Sequence, residues 1–216
     1  MAPTLAEALK EQNEAARASI PAETLAVMDA ATDALAATHL AEQCLGVGAP
    51  APDFSLPDAT GALVTLSKLL AEGPVVLAFY RGGWCPYCNI ELRSLQARLP
   101  EIAAAGGRLV AISPQTPDNS LTTAEKLDLS FPVLSDVGNV VARSYGLVFS
   151  LADDLRPVYG GWGLDLPAAN GDDSFELPLP ATFVLGADGT VAWRFADADY
   201  TKRGEPDEVI DALRAL

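Results

Sequence analysis

The apolar run VVLAFY at positions 75–80 passes without a break into RGGWCPYC at 81–88, and this junction constrains the fold more than any other segment of the chain. An unbroken apolar run of that length, with β-branched residues, reads as a strand buried on both faces, which belongs in a layered α/β core. Pro86 has a fixed φ and no N–H, so it suits the first position of a helix. Cys85 therefore falls at or near the N-cap, where unpaired N–H groups and the positive end of the helix dipole favour a thiolate. Cys88 follows one turn later on the same face, close enough for a disulfide, so an attack product on Cys85 can be resolved within the chain. The direct reading is a reversible dithiol.

The surrounding texture extends the α/β pattern. A helical stretch carrying Ile90, Leu92, Leu95 and Leu99 stops at Gly106-Gly107, and LVAIS follows as a second strand, giving a β-α-β unit with the cysteines at its first turn. Thr116-Pro117 opens another helix, FPVL at 131–134 is a short strand, and Asp136 caps a helix running to Tyr145. ATFVL, a turn at Ala187-Asp188-Gly189 and TVAWRF form a hairpin. Pro206 then opens a last helix carrying Val209, Ile210, Leu213 and Leu216. Earlier, a small hairpin around Pro57, Asp58 and Gly61 precedes the core, and Ser67 is expected to cap a short helix ending near Gly73.

Two segments stand apart. Residues 1–45 read as an N-terminal helical extension, with a Thr4/Glu7 capping box and Leu25, Met28 and Leu35 at helical spacing. They are expected to pack on the main domain, residues 46–216, or on a second subunit in a homodimer. Residues 150–179 hold many Gly, Pro and Asp with scattered Tyr159, Trp162 and Phe175, and read as a long irregular insertion. Asp153, Asp154, Asp172 and Asp173 within it lack the spacing of a calcium loop and read as surface solvation.

Charge and composition narrow the function. The formal net charge of -15, from 29 acidic against 14 basic residues, argues against nucleic acid and anionic membranes as partners. No apolar run approaches the ~20 residues needed to span a bilayer. Glu7, Lys10, Glu11 and Glu14 stand where a signal peptide would be apolar, so a cytoplasmic location is expected. Three cysteines in a reducing compartment point to thiol chemistry rather than a disulfide framework. Zinc would need four ligands, and Cys44 and His39 do not form a second ligand pair of recognisable spacing, so neither metal nor cofactor is expected. Cys44 reads as a packing residue. Three further residues are candidates for stabilising the thiolate or substrate: Arg81 as a cation, Trp84 as a cover over the sulfur, and Pro180, which in the cis form would present backbone groups beside the first turn.

The order of hairpin, FYRGGWCPYC, FPVLSD and PATFVLGADGTVAWRF resembles the AhpC/TSA, or peroxiredoxin-like, family over residues 46–216, and the N-terminal extension resembles that of the bacterial branch carrying the RGGWCPYC signature. The resemblance implies a thioredoxin-like α/β fold: a central mixed β-sheet flanked by helices, with the helical extension added. It implies a peroxidatic Cys85 that attacks a hydroperoxide to give a sulfenic acid, which Cys88 resolves and a thioredoxin-like or low-molecular-weight thiol recycles. Three features depart from the family pattern, one being the absence of the familiar proline upstream of the peroxidatic cysteine. Gly82 stands where typical members carry threonine or serine three residues before the peroxidatic cysteine, and Pro180 stands where they carry an arginine. These departures keep a second reading open, a thiol-disulfide oxidoreductase using the same two cysteines. A third is a non-catalytic redox sensor.

Overall fold

The computed structural model describes residues 3–216. The N-terminal segment is helical: α1 (Leu5–Ser19), α2 (Ala22–Ala36) and the short α3 (Leu40–Gln43). Thr4 and Glu7 form the expected capping box on α1. A small hairpin, β1 (Ser55–Pro57) with β2 (Leu63–Thr65), leads into α4 (Leu66–Leu70). Ser67 lies inside α4 instead of capping it; Asp53 supplies the cap, its Oδ1 accepting the Ser67 amide at 2.9 Å. A carboxylate aimed back from the preceding loop outcompetes the local hydroxyl.

The core is a five-stranded mixed sheet in the order β5 (Val133–Ser135), β4 (Arg108–Ser113), β3 (Val75–Phe79), β8 (Ala181–Leu185), β9 (Val191–Ala196). β3 is central, parallel to β4 and antiparallel to β8. Helix α5 (Pro86–Ala97), continued by α6 (Leu99–Ala104), makes the crossover between β3 and β4. Helix α7 (Pro117–Leu127) links β4 to β5, α8 (Val140–Ser144) follows β5, and α11 (Pro206–Arg214) closes the chain. Asp136 caps α8 from outside, accepting the amides of Val141 at 3.0 Å and Ala142 at 2.8 Å. Leu216 lies beyond α11 and is exposed, so the last helix ends before the apolar pattern does.

Strand period two divides the apolar run of β3 between two cores. Val76, Ala78 and Tyr80 face a cluster with Leu92 and Leu95 of α5 and Val209, Ile210 and Leu213 of α11. Val75, Leu77 and Phe79 face a second cluster with Phe183, Leu134, Tyr145 and Cys44. Both faces of the sheet are covered, which is why no alternation with polar residues appears in the sequence.

The helical extension joins these cores. Leu5 and Leu9 of α1 are buried in the cluster that holds α5, each contributing roughly 1.5–3 kcal/mol. Glu205, just before α11, accepts the amides of Leu5 at 3.3 Å and Ala6 at 2.7 Å, an anion at the positive end of α1. Met28 and Ala31 of α2 pack on a third cluster built by Leu151, Leu155, Tyr159, Leu166 and Leu177.

That third cluster corrects the expectation of an irregular insertion. Residues 150–179 are ordered by β6 (Val148–Ser150) pairing antiparallel with β7 (Glu176–Pro178), with α9 (Leu155–Gly161) and α10 (Leu166–Asn170) between them. Helices of seven and five residues are too short for apolar periodicity to register. Their stability comes from the buried face shared with α2. No helix among the described residues is long and apolar enough to cross a membrane.

Candidate active site

The chain leaves β3 at Phe79 and reaches α5 at Pro86 through a turn whose geometry is set by two glycines. Gly82 has φ +149, and a Cβ there would lie 2.3 Å from Trp84 Nε1. The hydroxyl expected of typical relatives at this position is therefore excluded sterically: the Trp84 indole occupies its space. The Gly83 amide donates to Gln115 Oε1 at 2.7 Å, and its carbonyl accepts from Asn89 Nδ2 at 2.9 Å. These bonds tie the turn to the loop after β4 and to the first turn of α5.

Cys85 is the N-cap residue of α5 with Pro86 at N1, as the sequence indicates. Cys88 faces it one turn on. Both are free thiols, 2% and 0% exposed. The hydrogen bond from the Cys88 thiol draws the Cys85 pKa down against burial, with the Arg81 and Arg203 guanidinium groups assisting, to about 6. Cys88 moves the other way, held well above the usual thiol range by burial and by its proton sharing with Cys85. One buried pair thus holds one ready thiolate and one reluctant thiol.

Arg81 is buried and enclosed by aromatic rings. Its guanidinium carbon lies 4.9 Å from the Trp84 ring centroid, 4.8 Å from Tyr200 and 5.7 Å from Tyr159, and it donates to the Tyr159 hydroxyl. Stacking on ring faces lets a guanidinium remain charged in a poorly solvated place. Trp84 packs edge-on against Tyr159 with centroids 5.8 Å apart and lines, with Cys85, a cavity of about 470 Å³. Ile20, Met28, Trp162 and Leu164 complete its apolar walls, so the helical extension and the 150–179 segment both reach the sulfur's surroundings.

Pro180 stands where the register brings it beside the turn, since Ala181 pairs with Phe79. No cis peptide bond occurs among the described residues, so Pro180 does not present backbone groups in the expected cis form. It lines a second cavity, of about 300 Å³, which borders Arg81, Tyr159 and Tyr200 but not the cysteines. Cys44 is buried on the opposite face of the sheet from Cys85 and Cys88, where its sulfur accepts from Arg194 Nη1 and the Ala41 carbonyl lies 3.2 Å away. Among the described residues no three His, Cys, Asp or Glu side chains gather into a group able to hold a metal ion.

Four site residues were not singled out from the sequence as acting on the thiols: Tyr159, Tyr200, Glu91 and Arg203. Arg203 donates from Nη2 to Cys88 Sγ at 3.3 Å and from Nε to the Glu91 carboxylate, whose other oxygen accepts from Thr182 Oγ1 at 3.3 Å. The Glu91–Arg203 pair is almost wholly buried, with side chains 2% and 1% exposed. Glu91 carried a signal, being an acid three residues after Cys88 on the face that buries Leu92 and Leu95. Arg203 carried none, because only the tertiary fold brings the loop before α11 to α5.

The arrangement is a low-pKa thiol with an adjacent partner thiol, two buried cations and an apolar chamber. The model of the AhpC/TSA family matches residues 47–194. The chain belongs to the AhpC/TSA family. The chloroplastic peroxiredoxin Q of Sedum lineare is 33% identical over 169 residues, covering 78% of this chain and 76% of the relative. The crystal structure of peroxidoxin BcpB from Mycobacterium tuberculosis has a TM-score of 0.63 at 27% identity, covering 80% of this chain and 98% of that one. Peroxiredoxin Q of Xanthomonas campestris, with a TM-score of 0.56 at 22% identity over 75% of this chain and 90% of that one, shares the fold. The sheet and its flanking helices are those of the thioredoxin-like fold of peroxiredoxins. In this AhpC/TSA protein the matched segment begins after α3, so α1–α3 lie outside it.

Proposed function

We propose that the family chemistry, thiol-dependent reduction of hydroperoxides, runs in this protein through Cys85 as the attacking thiolate and Cys88 as the resolving thiol. The Cys85 sulfur attacks the terminal peroxide oxygen; the O–O bond breaks, and the alkoxide or hydroxide leaves with a proton as alcohol or water. Cys85 is now a sulfenic acid. Cys88 attacks its sulfur, the S–S bond forms, and the sulfenic oxygen leaves as water. A dithiol reductant of thioredoxin type, or a small thiol, returns both sulfurs to the reduced state.

The observation that carries this reading is the position of Cys85: N-cap of α5, pKa about 6, and lining the 470 Å³ cavity beside Arg81. Arg81 is the cation available to the charge that develops on the departing oxygen. The second reading, a general disulfide exchanger, fits less well because both sulfurs are enclosed, 2% and 0% exposed. A hydroperoxide fits the chamber that Cys85 lines. The walls from Ile20, Met28, Trp162 and Leu164 favour a hydroperoxide bearing an apolar group over hydrogen peroxide alone.

The test is peroxide consumption with a dithiol reductant. Wild type is expected to turn over, Cys85→Ser to be inactive, and Cys88→Ser to stop with one sulfenic acid per chain, trapped by dimedone. A Cys85→Ser variant that still consumes peroxide catalytically would refute the reading.

A further inference from the structure

We infer that Arg203, anchored by Glu91, is a second catalytic cation that serves the resolving step, while Arg81 serves peroxide attack. This inference rests on the reading of Cys88 as the resolving thiol. Its basis is how completely the Arg203 guanidinium is used. Nε donates to Glu91; Nη1 donates to the carbonyls of Tyr200 at 2.8 Å and Lys202 at 2.6 Å; Nη2 donates to Cys88 Sγ at 3.3 Å. Three protein oxygens fix the planar fork, and the remaining contact falls on sulfur. Glu91 is itself held by Thr182 of β8.

The resolving step requires this contact. Cys88 is fully buried, and forming the S–S bond to the Cys85 sulfenic acid requires it to give up its proton. Negative charge then develops on a sulfur with no water to solvate it, and a prepositioned donor there stabilises the transition state without rearrangement. Arg203 is that donor. Glu91 supplies the counter-charge that lets the guanidinium stay in the core. Arg81, by contrast, directs its side-chain hydrogen bond at Tyr159 and its charge at the chamber shared with Cys85.

Single-turnover mixing with a stoichiometric hydroperoxide, followed by tryptophan fluorescence, separates sulfenic acid formation from disulfide formation. Arg203→Met is expected to slow the second phase at least ~10-fold more than the first, and to let dimedone trap a sulfenic acid that wild type resolves. Arg81→Met is expected to reverse the pattern. Arg203→Lys keeps a charge but cannot bridge Glu91 and Cys88 together, so it falls between Arg203→Met and wild type. Because Arg203→Met strands Glu91, the double variant Arg203→Met/Glu91→Leu removes both charges and supplies the same readout if the single variant does not fold. Disulfide formation at the wild-type rate in any folded variant lacking Arg203, while Cys88→Ser still stalls, would overturn the inference. A Cys88→Ser variant that does not stall would instead refute Cys88 as the resolving thiol.

Discussion

Gly83 and Thr123 lie so close that a methyl group on Gly83 would sit 2.2 Å from Thr123 Oγ1. The α7 hydroxyl is fixed, donating to the Asn119 carbonyl at 2.8 Å, so the turn before Cys85 has to yield. Gly83→Ala should cost about 1–3 kcal/mol through overpacking and displace the start of α5, lowering peroxidase activity with it. Adding Thr123→Ala should recover most of the loss. Thermal denaturation of the two single variants and the double variant checks this; strictly additive effects would contradict a direct clash.

Gly82→Ser restores the hydroxyl that typical relatives carry, yet it should weaken the enzyme. The position holds φ +149, and the new Cβ would meet Trp84 Nε1 at 2.3 Å. A side chain forced into that backbone region costs about 1–3 kcal/mol, and the indole that walls the chamber must shift. Activity equal to or above wild type in Gly82→Ser would show that the turn can rearrange around Trp84.

Removing Arg81 should act on the nucleophile. With the guanidinium gone, the Cys85 pKa rises from about 6 toward the ordinary thiol range, since Arg81 is one of the two cations that lower it. Arg81→Met should therefore react more slowly at neutral pH, and the midpoint of its pH–rate profile should move upward. A slower rate with an unmoved midpoint would confine Arg81 to peroxide binding.

The Glu91–Arg203 pair makes a stability prediction of its own. Glu91→Leu leaves a buried guanidinium without its carboxylate, a change that typically costs about 3–5 kcal/mol. The double variant Glu91→Leu/Arg203→Met should regain most of that. Chemical denaturation of both variants measures the difference; a single variant as stable as wild type would mean that water reaches Arg203.

Much of this was legible in the sequence for a physical reason: strand periodicity, proline at a helix start and the Cys-x-x-Cys spacing are local. VVLAF became β3, Pro86 the first residue of α5, and Cys85 its cap. The 150–179 segment carries no legible pattern because its helices are short and held by contacts with Met28 and Ala31 of α2, distant in sequence. Likewise Tyr200 and Arg203 lie in a loop whose sequence carries no periodicity. Arg203 reaches Cys88, and Tyr200 the Arg81 guanidinium, only because β9 returns the chain to the sheet edge before α11. The absent family arginine is a related case: Pro180 stands at its position, while two guanidinium groups come to the cysteines from elsewhere, Arg81 from the turn before Cys85 and Arg203 from the loop before α11.

Stopped-flow reaction of the reduced protein with an organic hydroperoxide across pH measures whether Cys85 is a peroxide-reactive thiolate at neutral pH. The Cys85 pKa is lowered to about 6, so the thiolate is the major form above that pH and is lost as pH falls through it. Cys88, raised well above the usual range, does not titrate in the same window. The second-order rate should be far above that of a free thiol, level above pH about 6, fall tenfold per unit below it, and vanish in Cys85→Ser. A rate matching that of a free thiol, still climbing through pH 8, would rule out a peroxide-reactive thiolate at Cys85 and leave the two cysteines as an ordinary buried pair.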